Sequence, residues 1–155
     1  MSTSTSIPRT QRAAVITDFK KPIEIQTDYP VIDPAALKTG YCLVRLTVSG
    51  VCHSDLHIKA GEWPTMGLPL VGGHEGVGTI VAMGTGTPES EQVKFGSKVG
   101  IKWTADACGR CETCRGGYDP VCAHAKNSGQ TVHGTFSEYV VAAVNHVVPI
   151  PDGLE

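Results

Sequence analysis

The sequence lacks any run of about 18 apolar residues, so no segment reads as a membrane-spanning helix. Its opening, MSTSTSIPRTQR, has no apolar stretch of the kind a secretory signal needs. The same segment is short and carries Pro8, which argues against an amphipathic transit helix. Runs of basic residues are missing too: 13 Lys+Arg stand against 15 Asp+Glu, for a formal charge of -2. Without a line of cations there is nothing to neutralise a line of phosphates, which excludes nucleic acid as an expected partner. No internal repeat is present, and no low-complexity tract beyond the first residues. These absences point to a soluble, cytoplasmic protein with neither membrane nor nucleic acid as partner.

What is present is one domain's worth of chain. At 155 residues it can remove roughly 70% of its unfolded surface from water, enough to fold without disulfides. The six cysteines are Cys42, Cys52, Cys108, Cys111, Cys114 and Cys122. Three of them follow one another at two-residue gaps, which suits a metal better than a disulfide framework and implies a reducing compartment.

Residues 1–12 are polar and aperiodic and read as a disordered tail, with the apolar pattern starting at Ala13. Strands dominate from there. In Tyr41 to Val48 the residues Cys42, Val44, Leu46 and Val48 alternate with their neighbours, the period of two of a strand with one face on a core. Leu43 breaks the alternation and suggests cover on both faces. Further strands are expected at Ala14 to Phe19, Ile23 to Thr27, Val77 to Met83, Lys98 to Trp103, Phe136 to Ala142 and His146 to Ile150. Only Ser54 to Ala60 reads as a helix. Eighteen glycines and ten prolines fit many turns between short strands, so the expected fold is a mainly β barrel or sandwich.

Cys108, Cys111, Cys114 and Cys122 form C-x2-C-x2-C-x7-C, with Gly109, Gly116 and Gly117 letting the backbone wrap closely. Four thiolates so near one another can surround a single ion. Zinc takes four soft ligands in a tetrahedron, and a site filled entirely by protein is structural. Iron–sulfur spacings do not match, and two-residue loops suit the alternative of disulfide pairing poorly. Loss of the metal is expected to unfold the lobe from about Trp103 to His124, since binding and local folding are one free energy.

A second constellation lies in GVCHSDLH, which gathers Cys52, His53, Ser54, Asp55 and His57, and in GGHEGVG, which holds His74 and Glu75. Singly, Cys52 reads as a small buried apolar group, His74 as a satisfied loop histidine and Glu75 as a surface charge. Together they offer a thiolate, an imidazole and carboxylates, the donor mixture of an open zinc site. Gly72, Gly73, Gly76 and Gly78 flank His74 and read as places where the backbone packs tightly.

The order GVCHSDLH, GEWP, LPLVGGHEGVG, GIKW, the cysteine quartet and GTFSEY resembles the zinc-dependent alcohol dehydrogenases of the medium-chain dehydrogenase/reductase family, yeast and fungal type, over residues 13–155. The resemblance implies a GroES-like, partly open β-barrel with few short helices and a protruding zinc-binding lobe at about residues 103–124. It implies two zinc sites, the quartet for the structural ion and Cys52 and His74 for the catalytic one. Glu75 would be a carboxylate able to approach the catalytic metal, and Asp55 would orient His74 from behind. Ser54 and His57 would form the proton relay, His57 having an unperturbed pKa suited to a base near neutrality. Trp63 and Trp103 would line a pocket for small primary alcohols, core packing being the alternative. His53 would contact the cofactor pyrophosphate.

The family's third catalytic cysteine and its nucleotide-binding Rossmann domain are not found in these residues. The nearest glycine-rich segment, Gly84 to Glu89, fails the dinucleotide pattern at its last position, has Pro88 in the turn, and reads as a hairpin connection. NAD is therefore expected only in a complete enzyme, with alcohol and aldehyde as its small-molecule partners. Any homo-oligomer would likewise belong to the full-length form. The chain alone is expected to have little or no dehydrogenase activity. The competing expectation is a non-catalytic zinc-binding structural or interaction module, against which Ser54, His57 and Glu75 argue. A zinc-ribbon nucleic-acid binder fares worse, because Glu112 and Asp119 offset Arg110, Arg115 and Lys126.

Overall fold

The computed structural model describes residues 6–154. In chain order its strands are β1 (Thr10–Ile16), β2 (Glu24–Pro30), β3 (Tyr41–Ser49), β4 (Leu70–Val71), β5 (Gly76–Met83), β6 (Lys98–Ile101), β7 (Thr104–Asp106), β8 (Lys126–Asn127), β9 (Tyr139–Ala143) and β10 (Val148–Pro149). Two short helices interrupt them, α1 (His53–Lys59) and α2 (Glu112–Arg115). The mainly β expectation stands. The strands sort into a three-stranded sheet β2-β1-β4, a five-stranded sheet β10-β6-β5-β3-β9 and a ribbon β7-β8, all with antiparallel neighbours. They do not close into a barrel; a bridge between Ala13 and Ser137 joins the first sheet to the approach to β9.

β3 lies inside its sheet, between β5 and β9, and its sequence can be covered on both faces. Cys42 and Val44 enter one core cluster with Ile80, Val99 and Val140, while Leu43 enters another with Val31 and Leu37. The break in alternation at Leu43 thus marks burial on both faces. Beyond Leu46 the strand leaves the core, and Val48, expected to face inward, is 59% exposed. Leaving the core is what lets the end of β3 deliver the next loop to the surface.

The tail expectation needs correction for residues 6–12. Gln11 is buried, its amide donating to the Pro30 carbonyl at 3.2 Å and its carbonyl accepting from the Tyr139 amide at 2.6 Å. Both ends of a polar side chain are satisfied by backbone, so β1 begins at Thr10. Ile7 also packs on the cluster around Leu43. The rest of the expected tail, residues 1–5, lies outside the described residues.

Register places the site. β3 and β5 pair so that Ser49 faces Gly76, and Gly50 donates to the Glu75 carbonyl at 2.8 Å. The chain leaving β3 and the chain entering β5 therefore run side by side at one end of the sheet. β7 and β8 pair at the base of the cysteine segment, which holds α2 and a 3-10 turn at Asp119–Val121.

Candidate metal centres

In the lobe the four cysteine sulfurs face one another. Sγ separations are 3.9 Å for Cys108–Cys114, 3.5 Å for Cys111–Cys114, 3.8 Å for Cys111–Cys122 and 3.6 Å for Cys108–Cys122. Sulfurs about 2.3 Å from a common centre in a tetrahedron have edges of about 3.8 Å, so the quartet has the dimensions of a zinc site. Disulfides need sulfurs at about 2.05 Å, and all six cysteines are free. Local hydrogen bonds favour the thiolate form at two of the four, Cys108 and Cys111, while burial and the neighbouring Cys111 sulfur raise the Cys114 thiol. Thr113 sits with its hydroxyl 3.0 Å from the Cys111 sulfur, and that hydrogen bond, helped by the Cys114 amide, pulls the Cys111 thiol down to about 6. The Cys108 thiol is lowered as well, first by the amide of Arg110.

The second cluster brings Cys52, His74 and Glu75 together, with one donor atom from each lying within 4.8 Å of the others. His74 is buried, and its Nε2 stands 3.8 Å from a Glu75 oxygen. Asp55 organises the set. Its Oδ2 accepts from the Cys52 amide at 2.9 Å at the start of α1, and its Oδ1 accepts from His74 Nδ1 at 3.1 Å. A carboxylate holding the proton on Nδ1 leaves the Nε2 lone pair directed at Cys52 and Glu75, the tautomer a metal ligand requires. Close backbone packing holds His74 in place. Gly73 has φ +90°, and a Cβ there would lie 2.6 Å from Thr135 Oγ1 and from the Phe136 ring, which bears out the reading of these glycines. The Ser49 hydroxyl donates to the Glu75 carbonyl at 2.8 Å and lies 2.7 Å from the Thr135 hydroxyl, which can donate to it.

The remaining candidates line up behind this cluster. Ser54 Oγ is 3.7 Å from Cys52 Sγ. His53 is exposed at the start of α1 and stacks on His57, with ring centroids 4.9 Å apart. His57 stacks in turn on Trp63 at 5.4 Å. Trp63 meets Trp103 edge-on at 6.1 Å, and Trp103 meets His74 edge-on at 5.1 Å. Both tryptophans also pack on the buried cluster of Ile16, Ile58 and Leu70, so they serve the core as well as this row. One partner escapes the sequence reading: Glu62 pairs its carboxylate with His57 Nδ1. An isolated glutamate in GEWP carries no signal beyond surface charge, and its place becomes visible only from how α1 ends.

The alcohol dehydrogenase GroES-like domain family matches residues 38–152. An alcohol dehydrogenase of Geobacillus stearothermophilus is 42% identical over 144 residues, covering 92% of this chain and 41% of that protein. Alcohol dehydrogenase 2 of Emericella nidulans is 40% identical over 152 residues, covering 96% and 40%. Among solved structures, an NAD-dependent alcohol dehydrogenase superposes with a TM-score of 0.79 at 33% identity, over 93% of this chain and 40% of that one. An acetophenone reductase from Geotrichum candidum in complex with NAD does so with a TM-score of 0.81 at 32% identity, over 97% and 42%. The chain thus spans about two fifths of the length of the relatives it matches.

Proposed function

The chain belongs to the alcohol dehydrogenase GroES-like domain family, and from that premise we propose that it forms the zinc-holding part of an alcohol dehydrogenase that oxidises small primary alcohols to aldehydes with NAD. Cys108, Cys111, Cys114 and Cys122 would hold a structural zinc, and Cys52 and His74 a catalytic one with Glu75 in reach. When bound, zinc acidifies the hydroxyl of an alcohol as a Lewis acid, and NAD accepts the hydride.

The chain's own residues do the rest. Asp55 keeps His74 in the tautomer that presents Nε2. The proton released by the alcohol passes through the Ser54 hydroxyl toward His57, which acts as its acceptor. Trp63 and Trp103, edge-on to each other, would form the apolar wall against which a short alkyl chain lies. His53, exposed at the start of α1, is available to a pyrophosphate oxygen. Hydride transfer needs donor and acceptor held together, so this activity belongs to a protein that also carries a nucleotide-binding domain.

The observation that carries the proposal is the convergence of Cys52, His74 and Glu75 with Asp55 behind them. Metal analysis of the purified chain tests it. Two zinc ions per chain are expected, one removed readily by chelator and one retained. A single, tightly held ion would overturn the catalytic centre and favour a non-catalytic zinc module.

A further inference from the structure

The end of α1 is built in a way the relay reading does not use. After Lys59 the chain turns through Ala60 into Gly61, whose φ is +74°. The Gly61 amide donates to the Ile58 carbonyl and the Glu62 amide to the His57 carbonyl, both at 3.0 Å. These are the paired bonds of a Schellman motif, which wraps the second residue past the helix back over its last turn. Such a wrap usually brings two apolar side chains together. Here the two residues it joins are Glu62 and His57, and the Glu62 carboxylate meets His57 Nδ1. Gly61 is required for this, because a Cβ there would meet the strain of positive φ and the Phe19 ring at 2.9 Å.

The pair is open to water, with side chains 41% and 57% exposed, so its attraction adds little to folding. Its chemical effect does not depend on strength of that kind. A carboxylate has only acceptor atoms, so in the neutral ring the proton must sit on Nδ1. The ring cannot turn freely, because it stacks on His53 with planes 21° apart and on Trp63 with planes 10° apart.

We propose that Glu62 is a positioning residue for the proton acceptor: it holds the neutral His57 ring with its hydrogen on Nδ1, so that Nε2 offers the lone pair. This rests on the relay reading given above. In that reading the proton leaving the alcohol by way of Ser54 forms its new bond at Nε2, while the Nδ1 hydrogen stays on Glu62. The positive charge created on the ring then lies beside a carboxylate.

Long-range proton–nitrogen NMR of the 15N-labelled chain tests the assignment without turnover. The chain has six histidines, and His57→Gln identifies the resonance. In the wild type above the titration of His57, Nδ1 is expected at the protonated end of the imidazole nitrogen range and Nε2 at the unprotonated end. Glu62→Ala is expected to exchange the two, and Glu62→Asp to restore the wild-type order. Unchanged resonances from His74, His124, His133 and His146 show that Glu62→Ala remains folded, His53 being stacked on the His57 ring itself. A wild-type ring protonated on Nε2, or a tautomer indifferent to Glu62→Ala, overturns the positioning role. Either result leaves the zinc centre to stand or fall on its metal count, so the two failures are separable.

Discussion

Asp55 shows how one side chain couples local and long-range order. By accepting from the Cys52 amide it starts α1, and by accepting from His74 it sets which nitrogen of a residue on another loop is free. Tyr41 plays a comparable part at the base of the lobe, donating to Asp106 Oδ2 at 2.6 Å, with Lys126 on the same oxygen at 3.5 Å. The hydrogen bond to Asp106, with burial behind it, pushes the Tyr41 hydroxyl up to about 12. The folded state therefore keeps this proton after an unfolded tyrosine, ordinarily titrating at about 10, has lost it. The stabilisation is full below about pH 10 and is lost as pH rises toward about 12. Ultraviolet titration of the native chain is expected to show a tyrosinate component near 12 that Tyr41→Phe removes. Denaturation midpoints of the two proteins should converge as pH rises through that window. A component unchanged by Tyr41→Phe would count against the pairing.

At the level of elements, the turn after α1 makes a single glycine decisive. Gly61→Ala is expected to destabilise the chain by about 1–2 kcal/mol, the cost of a left-handed backbone in a residue with a Cβ. Crowding against Phe19 adds to this, and the urea midpoint measures the sum. A midpoint unchanged from wild type would mean that the turn is not held as described. Legibility in the sequence follows the same divide between local and distant. The cysteine quartet can be read directly because all four sulfurs fall in one short segment. β3 can be read from its period of two, and α1 is found within one residue of its expected start and end. Gln11 misleads because its polarity is satisfied by Pro30 and Tyr139, neither of which is near it in sequence. Cys52 and His74 meet through the register of β3 on β5, which hydrophobic pattern alone does not reveal. Glu62 stays hidden because its partner is chosen by a backbone wrap, and any helix end with Gly at that point would look alike.

For the whole molecule, the two sulfur-bearing centres depend on different parts of the architecture. The cluster of Cys42, Val44, Ile80, Val99 and Val140 that holds the five-stranded sheet takes nothing from the cysteine lobe. Between β7 and β8 the chain is held by its short ribbon, by the Tyr41–Asp106–Lys126 contacts and by the quartet. Stripping the metal proposed for the quartet is therefore expected to unfold residues from about Trp103 to His124 while the sheet persists. Hydrogen exchange checks this: amides of the lobe should lose protection and those of β3, β5 and β9 should keep it. Global loss of protection would show instead that the lobe supports the entire domain. The row from His53 to His74 has a last consequence. Both tryptophans of the chain, Trp63 and Trp103, stand in it, each against a histidine ring. The tryptophan fluorescence of this protein, excited apart from that of its four tyrosines, thus originates beside His57 and His74, and its intensity and colour form an unlabelled optical gauge of that neighbourhood.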